Sequence, residues 1–175
     1  DCGADCPDPN DWILDFSVHL MQRYPDRPAG LFSNTEDFII RGFYGYGRYE
    51  VVMQAAPGSG AVSSFFTHTD ATFGDPHDEI DIEFLGLDTS RIHFNYFRKG
   101  KTGASATFDL PFDASEADHL YAFEWSPEGI TWYVDGKPYY KTVEGDAFVP
   151  RTPGSIIFNN WAGKPFITGW TGKPT

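Results

Sequence analysis

From Tyr49 onward, short runs rich in apolar and aromatic residues recur between turn signals. They are Tyr49–Ala55, Val62–Thr69, Glu79–Leu85, Arg91–Arg98, Ala106–Leu110, Leu120–Trp125, Ile130–Val134, Tyr139–Val143 and Ser155–Trp161. Each has the length of a strand. No 3.6-residue periodicity persists over about ten residues, so helices are expected to be short or absent. Asp135-Gly136 falls between two of the runs and is a hairpin signal, because a tight two-residue turn needs positive φ at both positions. The first roughly 40 residues read as a loop-rich entry with one strand around Ile13 to Met21. Gln22 to Gly30, which carries Pro25 and Pro28, reads as a surface loop. There is no internal repeat, linker or low-complexity tract. The pattern fits an all-β protein in which two antiparallel sheets pack face to face as a jelly roll.

One run departs from the rest. Asp78 to Gly86 reads Asp-Glu-Ile-Asp-Ile-Glu-Phe-Leu-Gly. Side chains alternate between the faces of a strand, so Glu79, Asp81 and Glu83 share one face while Ile80, Ile82 and Phe84 share the other. Three acids in a row repel one another, and at least one pKa must rise. Glycoside cleavage uses such an arrangement, with one carboxylate as nucleophile or base and one carboxylic acid as proton donor. Cα atoms four residues apart on a strand are about 13 Å apart. Two Glu side chains leaning together over a concave sheet close most of that gap. The spacing is compatible with retaining and with inverting geometry. A structural calcium cluster is the weaker reading, because calcium usually gathers oxygens from loops of varied geometry.

With 175 residues the chain is expected to form one domain. An aromatic fraction of 17 %, with 18 Gly and 13 Pro, favours short strands and tight turns over long helices. The net charge of −12 argues against nucleic acid or an anionic membrane as partner, and it suits a neutral polysaccharide. No apolar run approaches the roughly 20 residues of a membrane span. Cys2 and Cys6 are compatible with a local disulfide, with two thiols and with an intermolecular bridge.

The acidic strand resembles the active-site strand of glycoside hydrolase family 16 in its lichenase branch, the endo-β-1,3-1,4-glucanases. Further segments resemble lichenases in the same order: Tyr44-Gly45-Tyr46-Gly47-Arg48-Tyr49-Glu50-Val51, Val62 to Thr67, Leu85 to Ser90, Phe94-Asn95-Tyr96, Trp132 to Gly136, and Asn159-Asn160-Trp161. They cover roughly Phe43 to Trp170. The resemblance implies a jelly roll and a retaining mechanism with Glu79 as nucleophile, Asp81 as its orienting partner and Glu83 as acid/base. The same-face charges agree with this, since the summed negative field keeps Glu83 protonated near neutral pH.

The resemblance also implies a cleft. Asn95 matches the family's sugar-binding Asn, and alternation brings His93 and Phe97 to the same face. Phe66 matches a cleft aromatic, which brings Ser64 and His68 with it. Asn159 and Trp161 match an Asn-x-Trp that holds glucosyl units, and Trp170 matches a second stacking Trp. His77, directly before the acidic strand, is expected at the cleft rim. Trp125 and Trp132 are expected in the core.

This sequence departs from the lichenase pattern at His68, where lichenases carry Tyr, and at His77, where they carry Trp. The stretch Asn34 to Arg41 does not reproduce the family's sugar-binding Glu-x-Arg. Both ends are abbreviated relative to the family, whose structural calcium uses an acidic residue from the absent end. No metal or other cofactor is therefore expected. The reading is a secreted, monomeric enzyme that cleaves β-1,3-1,4-glucan. Its alternatives keep the same machinery for another β-glucan, a bacterial exopolysaccharide or xyloglucan transglycosylation. From a different class, a non-catalytic glycan-binding jelly roll is disfavoured because a lectin gains nothing from a repelling carboxylate row.

Overall fold

A computed structural model describes residues 36–162 and 167–173. The chain runs through β1 (Glu36–Tyr44), β2 (Gly47–Met53), β3 (Ala61–Thr69), a short 3-10 turn (Ala71–Phe73), β4 (Asp78–Leu85), β5 (Arg91–Arg98), β6 (Lys101–Thr102) and β7 (Ala106–Asp109). It continues through β8 (His119–Ser126), β9 (Gly129–Val134), β10 (Lys137–Lys141), β11 (Gly154–Ala162) and the single helical turn α1 (Thr168–Thr171). One antiparallel sheet has the order β1-β11-β3-β4-β5-β6, with β7 also pairing β5; the other has the order β10-β9-β8-β2. The two-sheet sandwich expected of the sequence is present.

The core lies between the sheets. Ile80, Ile82 and Phe84 of β4 and Ile92, Phe94 and Tyr96 of β5 are fully buried, as are Tyr121 and Phe123 of β8 and Ile130 and Trp132 of β9. Aromatic contacts tie the layers together: Phe65 to Phe123 at 5.8 Å, Phe84 to Tyr121 at 4.8 Å and Phe94 to Trp132 at 5.6 Å. Burying each side chain of this kind stabilises the fold by about 1.5–3 kcal/mol. That burial pins the register of β4, because a one-residue slip would turn Glu79, Asp81 and Glu83 into the core. Trp125 and Trp132 are core residues, as expected.

β5 spans the expected residues, and the other anticipated strands shift by only a few positions at their ends. Asp135 (φ 47) and Gly136 (φ 74) make the tight turn between β9 and β10. Two strands depart from the expectation. β1 lies in a stretch read mostly as loop, because Phe38-Ile39-Ile40 has no alternation and Gly42 breaks the run soon after it. Its identity as a strand comes from pairing with β11, from Glu36–Asn160 to Tyr44–Gly154 across a bulge. β6 is too short to carry a pattern and exists through pairing with Phe97 and Arg98. The strand expected around Ile13 to Met21, the loop Gln22 to Gly30, and Cys2 and Cys6 lie outside the described residues. Among the described residues, no helix is long and apolar enough to cross a membrane.

Candidate active site

The antiparallel register of β11, β3, β4 and β5 turns alternation within strands into rows across the sheet. His68 pairs with Glu79, Phe66 with Asp81, and Ser64 with Glu83. On the other side of β4, Glu79 pairs with Phe97, Asp81 with Asn95, and Glu83 with His93. β11 extends the rows, with Asn159 opposite Ser64 and Trp161 opposite Val62. Directly opposed side chains lie about 4.5–5.5 Å apart at Cβ. Phe66, His68, His93, Asn95, Phe97 and Asn159 therefore share one surface with the three carboxylates, as alternation predicts.

Within that surface the carboxylates have different protonation states. The Glu79 Oε2 atom is 2.8 Å from His68 Nδ1 and 2.6 Å from His77 Nε2. Burial pushes the Glu79 carboxyl up, but hydrogen bonds from His68, Asp81 and His77 and the His68 charge outweigh it, leaving its pKa below the ordinary value. Burial holds Asp81 well above the usual carboxylate range, with the charges of Glu79 and Glu83 and the hydrogen bond to Glu79 adding to it. Asp81 thus keeps its proton and donates a hydrogen bond to Glu79. Glu83 is pushed up to about 7, first by burial and then by the Glu79 charge. The row holds an ionised Glu79 and, below about pH 7, a protonated Glu83. The hydrogen bond with Glu79 raises the His68 pKa against the opposing effect of burial, whereas burial lowers that of His93.

Two supports hold the strand that carries the row. Trp132 Nε1 donates to the Asp81 carbonyl at 3.1 Å, bracing the strand from the core side. Asp78, itself buried, accepts from three backbone amides: Lys99 at 2.8 Å, Arg151 at 2.9 Å and Thr152 at 3.0 Å. It fastens two loops to the start of β4. Sequence reasoning missed this role. The position of Asp78 at the strand end, beside a turn-rich stretch, is the only available signal, because the amides it binds lie 21, 73 and 74 residues away.

His77 stacks on Phe97 with ring centroids 5.1 Å apart and planes 19° off parallel. It therefore reaches into the carboxylate row, further than the rim position expected of it. Trp170, in α1, is 37 % exposed and lies 6.3 Å from Trp161 and 6.1 Å from His93 between ring centroids. The buried atoms Ser64 Oγ, Asn95 Oδ1 and Asn159 Oδ1 have no hydrogen-bond partner among the described residues. All three belong to the carboxylate rows. Unpaired buried polar atoms are rare.

The chain is similar to known proteins in sequence and in fold. The chain is 52 % identical over 132 residues to a beta-glucanase from Brevibacillus brevis, an alignment covering 74 % of this chain and 49 % of that protein. It thus spans about half the length of that relative. A beta-1,3-1,4-glucanase (lichenase) derived from a mouse hindgut metagenome superposes with a TM-score of 0.75 at 43 % identity, covering 79 % of this chain and 63 % of that one. The Bacillus licheniformis beta-glucanase gives a TM-score of 0.76 at 44 % identity, with the same coverage of both chains. The family model for glycosyl hydrolases family 16 matches residues 29–174, enclosing both sheets and the acidic row, and the chain belongs to that family.

Proposed function

We propose that the chain is the catalytic domain of a retaining endo-β-1,3-1,4-glucanase, with Glu79 as nucleophile, Asp81 as its hydrogen-bonding partner and Glu83 as acid/base. The observation that carries the reading is three carboxyls on one strand face in unlike surroundings, Glu79 against two imidazoles and Glu83 opposite Ser64 and His93, which holds Glu79 below its ordinary pKa and pushes Glu83 up. Two carboxyls whose environments push them apart can take opposite roles in one reaction. Ionised Glu79 attacks the anomeric carbon as the bond to the leaving sugar oxygen breaks, and Glu83 passes its proton to that oxygen. Glu83, now ionised, takes a proton from water as that water attacks the anomeric carbon, and the bond from that carbon to Glu79 breaks to free its carboxylate. Asp81 stays protonated throughout and limits the basicity of Glu79.

The β-1,3-1,4-glucan substrate is supported by the names of the relatives, which are beta-glucanases and a lichenase at 43–52 % identity. Asn95 and Asn159 stand in the carboxylate rows, where their amides suit sugar hydroxyls, and Trp161, Trp170 and Phe66 supply apolar faces for the rings. The carboxylates perform both steps, so the chemistry needs no cofactor. A polymeric, neutral substrate outside the cell suits a secreted, acidic monomer.

Glu79→Gln is the test. It is expected to abolish release of reducing ends from mixed-linkage β-glucan while oligosaccharide binding persists. Hydrolysis surviving in that variant refutes the nucleophile assignment. Release by the unaltered chain from xyloglucan alone, and not from mixed-linkage β-glucan, laminarin or cellulose, refutes the substrate.

A further inference from the structure

Two imidazoles converge on one oxygen of Glu79. His68 Nδ1 and His77 Nε2 lie 2.8 and 2.6 Å from Oε2, and one ligand-capable atom from each of the three residues falls within 4.8 Å of the others. We propose that His68, His77 and Glu79 form a binding site for a divalent transition-metal ion, Zn2+ foremost, and that the ion locks the Glu79 carboxylate in an unreactive state.

The donor set favours this class of ion. Two His and one carboxylate are a ligand set that Zn2+ takes with a fourth position left open to water. Imidazole nitrogen selects Zn2+, Cu2+ or Ni2+ over the oxygen-seeking Ca2+ and Mg2+. Zinc bonds of about 2.0–2.1 Å at a tetrahedral angle place ligand atoms roughly 3.3 Å apart. The contacts to Oε2 would open by about 0.5 Å for His68 and about 0.7 Å for His77, and the two ring nitrogens already lie within 4.8 Å of each other. The side chains of His68 and His77 are 23 % and 37 % exposed, so an ion has a path from solvent.

The rings are also held in place. His77 lies flat on Phe97, and its backbone carbonyl accepts from Gly100 N at 2.8 Å. On the far side of His68, Nε2 is 3.4 Å from Asp70 Oδ2, and Asp70 is itself fixed by Thr72 N at 2.8 Å. In the metal-free site His68 Nδ1 and His77 Nε2 each share a proton with Glu79. An ion bound by these atoms displaces those protons, so binding releases protons to solvent. His68 Nε2 keeps its proton, and the Asp70 carboxylate accepts the hydrogen bond. A carboxylate behind a ligating His also orients the ring and raises its basicity. An ion on Oε2 withdraws electron density from the carboxylate and so weakens it as a nucleophile. That consequence rests on Glu79 being the nucleophile; the binding itself does not.

The test is titration of the full chain with ZnCl2 by calorimetry and with CoCl2 by visible absorption, both without glycan. One Zn2+ per chain is expected, together with an intense tetrahedral Co2+ band that Zn2+ displaces. His68→Ala, His77→Phe and Glu79→Gln should each weaken binding by at least about tenfold, and Asp70→Asn by about ten- to a hundredfold as an outer partner. Circular dichroism checks each fold; Glu79→Gln preserves side-chain shape and decides the matter if the His variants fail to fold. No saturable binding, or unchanged affinity in Glu79→Gln, overturns the site. Binding that needs Glu79 but leaves glucan hydrolysis undiminished at saturation upholds the site and overturns the claim that the ion makes Glu79 unreactive; loss of hydrolysis in Glu79→Gln without metal tests the nucleophile role separately.

Discussion

Replacing Glu83 with Gln should stabilise the fold while removing the proton donor, with a pH dependence set by the site. Burial and the Glu79 charge raise Glu83 from an ordinary 4.5 to about 7. That difference, at 1.36 kcal/mol per unit, corresponds to about 3 kcal/mol. The unfolded chain releases this proton near its ordinary value, whereas the folded chain holds it until about 7. Below about pH 4.5 both states are protonated and the shift has no effect on stability. As pH rises through the window from about 4.5 to about 7, stability falls by up to about 1.4 kcal/mol per pH unit, and above it the whole cost stands. Gln is neutral at every pH and escapes that cost. Glu83→Gln should match the native chain near about pH 4 and exceed it near about pH 8. About 3 kcal/mol is the ceiling, because Glu83 is only partly buried and water screens part of the effect. Urea denaturation followed by Trp fluorescence at the two pH values, with m held constant, measures it. An equal stability difference at both pH values, or a variant less stable at the higher one, refutes the argument.

Three other substitutions probe the supports and the cleft. Asp78→Ala removes the acceptor of three part-buried backbone amides, which water reaches in part, so a loss of about 1–3 kcal/mol in chemical denaturation is expected. The Asp78 pKa is lowered, its backbone hydrogen bonds outweighing burial. Its contribution is therefore present above its unfolded value and lost as pH falls through the folded one, so the penalty should shrink in acid. Trp132→Phe removes the donor to the Asp81 carbonyl and should cost about 1–3 kcal/mol together with a fall in kcat; unchanged kcat would show that the brace does not position the row. Trp170→Ala, at a half-exposed ring beside Trp161, should raise KM on mixed-linkage β-glucan by about two- to tenfold with little change in kcat or melting temperature. A fall in kcat at constant KM would contradict a stacking role.

The chemistry of β4 is legible in nine residues because strand geometry is local. Period-two alternation separates Glu79, Asp81 and Glu83 from Ile80, Ile82 and Phe84 without knowledge of any partner, and three adjacent acids require that a pKa rise. The same locality places His93, Asn95 and Phe97 on one face, and it makes Asp135-Gly136 a hairpin turn. Alternation fails where the pattern is short or uninterrupted. β1 and β6 are strands only because β11 and β5 pair with them.

Pairwise contact across strands is not local. Nothing in the sequence says that His68 faces Glu79, and it does so because β3 runs antiparallel to β4 in one register out of several. That register, fixed by burial of the opposite face, brings two imidazoles to one carboxylate oxygen and lends Asp78 three distant amides. The sequence by itself determined which side chains share a face and that their charges conflict. The tertiary structure alone decided that Asp81 keeps a proton as well as Glu83, since burial and hydrogen-bond donors arrive from strands and loops far along the chain and set each pKa through distances no linear pattern encodes.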